Sequence, residues 1–204
     1  MDALDPIITL KVKNTAGGTD NIHVHQGVLC QSSSFFQNAM KKEWAGSKDK
    51  PHVINLPEDC TETVKIYIEW LYSNEIPAKL YMTHKANKSN GEQEAREAEK
   101  NFIVLTKAYI FGEKIIDSVF TKEVSEKMQE ILATSMGWPT AECVKMIYEW
   151  TPSNSPLRRL LTSNLEDTLW EDELNSGILD FLDTYPQQAL VDALKAIVGT
   201  RPPP

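Results

Sequence analysis

No CxxC pair, no apolar run approaching about 18 residues and no excess of basic side chains occur in this chain, and each absence removes a class of function. Its three cysteines, Cys30, Cys60 and Cys143, are odd in number and widely spaced. They suit neither a disulfide framework nor a structural zinc site, so reduced thiols in cytosol or nucleus are expected. With 21 basic against 29 acidic residues, the net charge of -8 disfavours non-specific binding to phosphate backbones or anionic lipid. The opening "MDALDPIITLKV" lacks the basic region and apolar core of a secretory signal. The expectation is a soluble intracellular chain without direct nucleic-acid or membrane partners. "NTAGGTDN" has two glycines but not the spacing of a phosphate loop, and no period of about 20 to 50 residues marks a repeat array.

What is present is a globular composition: 41% apolar residues, with five Trp, six Tyr and six Phe, over 204 residues. This is one domain, or one domain with an appendage. Ile7 to Val12 and Ile22 to His25 read as strands joined by the turn residues of "NTAGGTDN", hence a hairpin. Ser32 to Ser34 can cap a helix carrying Phe35, Phe36, Ala39 and Met40 on one face, and "HVINLP" reads as a short strand stopped by Pro57. Asp59 to Glu62 resembles a capping box ahead of a helix with Val64, Tyr67, Ile68 and Leu71 inward. Thr83 to Glu99 contains no large apolar side chain and reads as a solvated insertion whose end can begin a helix. Phe102, Leu105, Tyr109 and Gly112 mark the next helix. Another follows over Ile115 to Met128 with Ile116, Val119, Phe120 and Val124 inward. Helices then open near Pro139 and at Ser155-Pro156, and Leu190, Leu194, Ile197 and Val198 make a last amphipathic helix ended by Gly199.

With the elements in this order, "IHVHQGVLCQSSSFFQNAM" resembles the signature of the BTB/POZ fold, in which "F-x-V-H-K-x-V-L-x-x-x-S-x-x-F" joins the second strand to two short helices. Val24, His25, Val28, Leu29, Ser32 or Ser33, Phe35 and Phe36 stand at the matching positions, and Gln26 replaces the usual Lys. "VINLPEDCTETVKIYIEWLYSNEIP" resembles the family's second block, with Leu56, Val64, Ile68, Leu71, Tyr72 and Ile76 in place. "EW" after the second helix and "WLY" at the end of the third are most similar to the fungal branch. The resemblance implies an α+β fold: a small sheet flanked by short helices over residues 1–127, a polar insertion at about 83–99, and an all-helical C-terminal extension over 128–204. It also implies a non-enzymatic protein-interaction module, often dimeric, and in many members an adaptor for a cullin-type ubiquitin ligase. No cofactor is expected.

His23 and His25 face one side of a strand, with Cys30 five residues on, which is how a metal or thiol site could be presented. The ligand set is incomplete, and His25 falls where the family keeps a structural histidine. Trp44 ends the second helix beside a polar turn and, with Met40 and Tyr72, is a candidate partner contact. Trp70 is expected at the core or its edge, and Trp138, Trp150 and Trp170 between C-terminal helices. Cullin adaptors commonly carry a hydrophobic-x-Glu motif after the second helix; here the residues are Trp44-Ala45-Gly46, so cullin binding is possible but not favoured. About six residues precede Ile7, too few for a strand-swapped dimer, which leaves a monomer or a dimer through another face.

Overall fold

In the computed structural model, which describes residues 5–41, 52–77, 91–134, 139–170 and 183–200, strands β1 (Ile7–Lys13) and β2 (Thr19–His25) form the expected antiparallel hairpin. Asn14 builds its turn: the Oδ1 atom accepts from the N–H of Ala16 at 3.2 Å and of Gly18 at 2.8 Å. Gly17 takes the left-handed conformation, φ 81°, that a side chain would strain. Alternation buries Ile8, Leu10 and Val12 on one face of β1 and Val24 opposite Ile8 on β2.

Strand β3 (Val53–Cys60) runs parallel to β1 on the other side, giving the order β2-β1-β3. It does not stop at Pro57. Leu56 pairs with Val12 and Cys60 with Lys13, so Pro57, Glu58 and Asp59 bulge out of the ladder, where a residue without an N–H is tolerated on an edge strand. Asp59 is thereby taken up by Lys114, 2.9 Å away, and does not cap the following helix as the sequence led one to expect. Helix α3 (Thr61–Ser73) starts instead from Cys60 with no side-chain cap, after helices α1 (Gln26–Ser32) and α2 (Ser34–Ala39). Its buried face is Thr63, Val64, Ile66, Tyr67 and Trp70, a register turned slightly from the expected one, which leaves Ile68 and Leu71 half-buried. Asn74 ends it in the left-handed region, φ 55°, with its N–H on the Trp70 carbonyl at 2.7 Å.

Helices α4 (Gly91–Lys114), α5 (Ser118–Thr134), α6 (Ala141–Trp150), α7 (Pro156–Trp170) and α8 (Gln187–Thr200) complete the described elements. By contact the chain divides into two units, Met1–Lys79 with Lys107–Val124, and Leu80–Thr106 with Ser125–Pro204. The centre of the first is the Tyr67 ring, with Phe36, Trp70, Phe111 and Phe120 at centroid distances of 6.3, 5.9, 5.6 and 5.0 Å. Such arrangements add to the stabilisation from area burial. Around it lies a polar node. The buried Asp117 carboxylate accepts from the Tyr67 hydroxyl at 2.9 Å, from the Phe120 N–H at 3.0 Å and from the Ser32 hydroxyl.

Asp117 is also why the helix expected over Ile115 to Met128 starts later. The carboxylate caps α5 at Phe120, and Ile116 sits outside the helix at φ 56°. Phe120 and Val124 point inward as expected, but Ile116 and Val119 are exposed. Gly112 allows this corner: a Cβ there would stand 2.6 Å from Thr121 Cγ2 and 2.9 Å from Phe120 Cδ1.

In the second unit Arg158 closes the end of α6. Its Nε donates to Thr151 Oγ1 at 3.1 Å, its Nη2 to the Tyr148 carbonyl at 2.7 Å and to that of Thr151, and the guanidinium lies 4.5 Å from the Tyr148 ring centre. The Tyr185 hydroxyl donates to the Pro139 carbonyl at 2.6 Å; burial pushes its pKa up to about 12. Three expectations fail here. Trp150 is 62% exposed and not packed between helices, whereas the side chains of Trp138 and Trp170 lie outside the described residues. Helix α8 buries Ala189 and Ala193, which permit a close approach to α7, and turns Leu194 and Val198 outward; it also runs on through Gly199.

Replacing Asp117 by Ala strands the Tyr67 hydroxyl and the Phe120 N–H in the core, at roughly 1 to 3 kcal/mol for each orphaned group. Urea denaturation should therefore show a loss of about 3 kcal/mol or more, and Tyr67→Phe should cost less in the Asp117→Ala background than alone.

Candidate functional site

The chemistry-bearing residues of the signature lie on β2 and α1, and the structure distributes them. Val24 and Leu29 are buried and Phe36 is fully so; Val28 and Phe35 are half-buried, Phe35 meeting Phe36 edge-on at 5.2 Å. His23 faces outward opposite Thr9, with Nδ1 3.1 Å from the Thr9 hydroxyl. His25 projects from the same side of the strand, but its ring goes to the end of α3: Nδ1 lies 2.7 Å from the Tyr72 hydroxyl, which also accepts the His25 backbone N–H at 3.1 Å.

The two histidines thus serve separate contacts, and Cys30 serves a third. Its Sγ lies 3.8 Å from the Phe36 carbonyl oxygen, and burial, then the charge of Asp5, raises its pKa. That environment makes a less available thiolate. Cys143 is fully buried and its pKa is raised for the same first reason. Among the described residues no group of three or more His, Cys, Asp or Glu is placed to hold a metal ion. Of the candidate partner contacts, Trp44 lies outside the described residues, Met40 is half-buried at the end of α2, and Tyr72 is 43% exposed. The His25–Tyr72 link spans 47 residues of sequence, and no local pattern announces it.

A second surface emerges only from the sheet. The positions of β1 that alternate with its buried ones, Thr9, Lys11 and Lys13, face outward. The register sets Asn21 beside Lys11 on one side and Asn55 on the other, with Thr19 beside Lys13. Lys11, Lys13, Thr19, Asn21, Asn55 and Pro57 line a shallow depression of about 460 Å³. Sequence reading passed over it because β3 joins the sheet from about 40 residues away, and which strand it pairs with is a tertiary fact.

A three-stranded sheet, the hairpin of α1 and α2 beside it and the α3 helix define a small α+β module of known type. Residues 8–92 match the family model of the BTB/POZ domain, and this stretch of the chain is a BTB/POZ domain. Such domains are protein-interaction modules. No curated protein matches the chain. Among the described residues no helix is long and apolar enough to cross a membrane.

The assigned contacts predict that His25→Ala and Tyr72→Phe each lower stability by about 1 kcal/mol, and that the double variant loses less than the sum, measured by chemical denaturation. Alkylation of the native protein with iodoacetamide near pH 8, followed by mass spectrometry, should modify Cys143 last, and only at the rate at which its surroundings open.

Proposed function

We propose that the protein is a non-enzymatic scaffold that uses its BTB/POZ domain to assemble an intracellular complex in cytoplasm or nucleus. The carrying observation is the BTB/POZ match over residues 8–92, on a fold whose signature His and Cys side chains are each engaged in a structural contact. In this reading the BTB part extends over 1–127, and the helices of 128–204 are an extension that adds its own contact surface. The likeness of "EW" and "WLY" to fungal members belongs to the same proposal.

A cullin adaptor is the second reading, favoured by the apolar anchor Trp44 and disfavoured by Ala45-Gly46, which lack the acid that commonly follows. A charge-assisted hydrogen bond contributes about 1.5 to 3 kcal/mol, so its absence weakens such a complex about ten-fold or more.

Native affinity purification followed by gel filtration with light scattering tests the scaffold reading. The expected result is a dimer, or the chain in fixed ratio with another protein. A lone monomer carrying stoichiometric zinc that His25→Ala removes without unfolding would overturn it in favour of a metal enzyme. Robust cullin binding abolished by Trp44→Ala would transfer the function to the adaptor class.

A further inference from the structure

The outward face of the sheet concentrates one kind of chemistry. Its paired positions, from Ile7 and His25 to Lys13 and Thr19 and across to Val53 and Asn55, include two lysines, two histidines and two asparagines but no carboxylate, on a chain of net charge -8. The acids nearest in sequence are engaged elsewhere: Asp5 with the Gly27 N–H, Glu58 and Asp59 with Lys114, and Asp20 with Asn14 and Thr61. Among the described residues Lys11 and Lys13 form no ion pair.

We propose that this face, centred on the row Asn21, Lys11, Asn55 with Lys13 beside it, docks an acidic, extended segment of a partner protein. Lys11 and Lys13 stand two residues apart on one strand, about 6.6 to 6.8 Å, the repeat at which an extended peptide presents alternate side chains to one side. Carboxylates at i and i+2 of such a peptide therefore meet both ammonium groups. Asn21 and Asn55 flank Lys11 by one strand spacing, about 4.8 Å. Their amides donate to a carboxylate and accept from a peptide N–H. A positive face on an otherwise acidic molecule also steers an acidic segment to this place and away from the rest of the surface. The inference rests on the scaffold reading and gives one of its partners a chemistry.

Fluorescence anisotropy with an end-blocked, fluorescein-labelled peptide of alternating Glu and Thr tests it on the full chain. Saturable binding that falls with added salt is expected. Lys11→Glu/Lys13→Glu should weaken it about ten-fold or more, Lys11→Gln/Lys13→Gln by less, and Lys145→Glu on the exposed side of α6 not at all. Thermal melts of each variant establish that the fold is kept, and the Gln pair carries the test if the Glu pair unfolds. Absence of saturable binding at low salt, binding indifferent to both double variants, or tighter binding of oligothymidylate through the same lysines would each overturn the proposal. A natural partner retained by the folded double variant overturns the docking face but leaves the scaffold reading standing.

Discussion

The Asp117 carboxylate is the constraint on which the first unit depends. A charge removed from water costs several kcal/mol unless donors replace the lost hydration. Here the donors come from three elements, the last residue of α1, the middle of α3 and the first turn of α5. The Tyr67 phenol is held protonated because burial, and then the Asp117 charge, push its pKa far above the usual value. The pair therefore has one sense, Tyr67 donating and Asp117 accepting. Since that phenol belongs to the ring at the centre of the aromatic cluster, its hydroxyl fixes how Phe36, Trp70, Phe111 and Phe120 stack. The neighbouring serine completes the clamp. Ser33 caps α2 at Phe36 and donates its own proton to the Ile115 carbonyl at 2.6 Å.

This explains what a serine run is doing inside an apolar signature. From the sequence, Ser32 to Ser34 are cap candidates, and Ser33 is one. The role of Ser32 depends on a residue 85 positions away, and nothing local reveals it. The same distinction governs the rest of the chain. The hairpin, the α+β order and most helices were legible because period and turn chemistry are local properties. The inward faces of α3, α5 and α8 were legible only in part, since their departures depend on partners distant in sequence. Asp59 is diverted to Lys114, Asp117 delays the start of α5, and Ala189 and Ala193 are small enough to meet α7 in place of the larger Leu194.

The histidines followed the same logic at the candidate site. Strand alternation correctly put His23 and His25 on one side, but a shared side is not a shared ligand. One ring stays with its cross-strand neighbour Thr9 and the other reaches α3. What looked like a cluster over His23 to Cys30 is a set of fasteners between strand, hairpin and helix.

Where the polar chemistry of a fold is engaged in holding it together, recognition falls to the side chains left outside. In the first unit the division runs through one strand. Ile8, Leu10 and Val12 are buried by the face of β1 that packs inward, and the same alternation must place Lys11 and Lys13 on the other face. A shift of register by one residue would bury the lysines and expose the core, so the position of that basic row is fixed as firmly as the hydrophobic core itself. Its place on the central strand, hydrogen-bonded on both sides by β2 and β3, gives it a rigid platform on which to meet a partner.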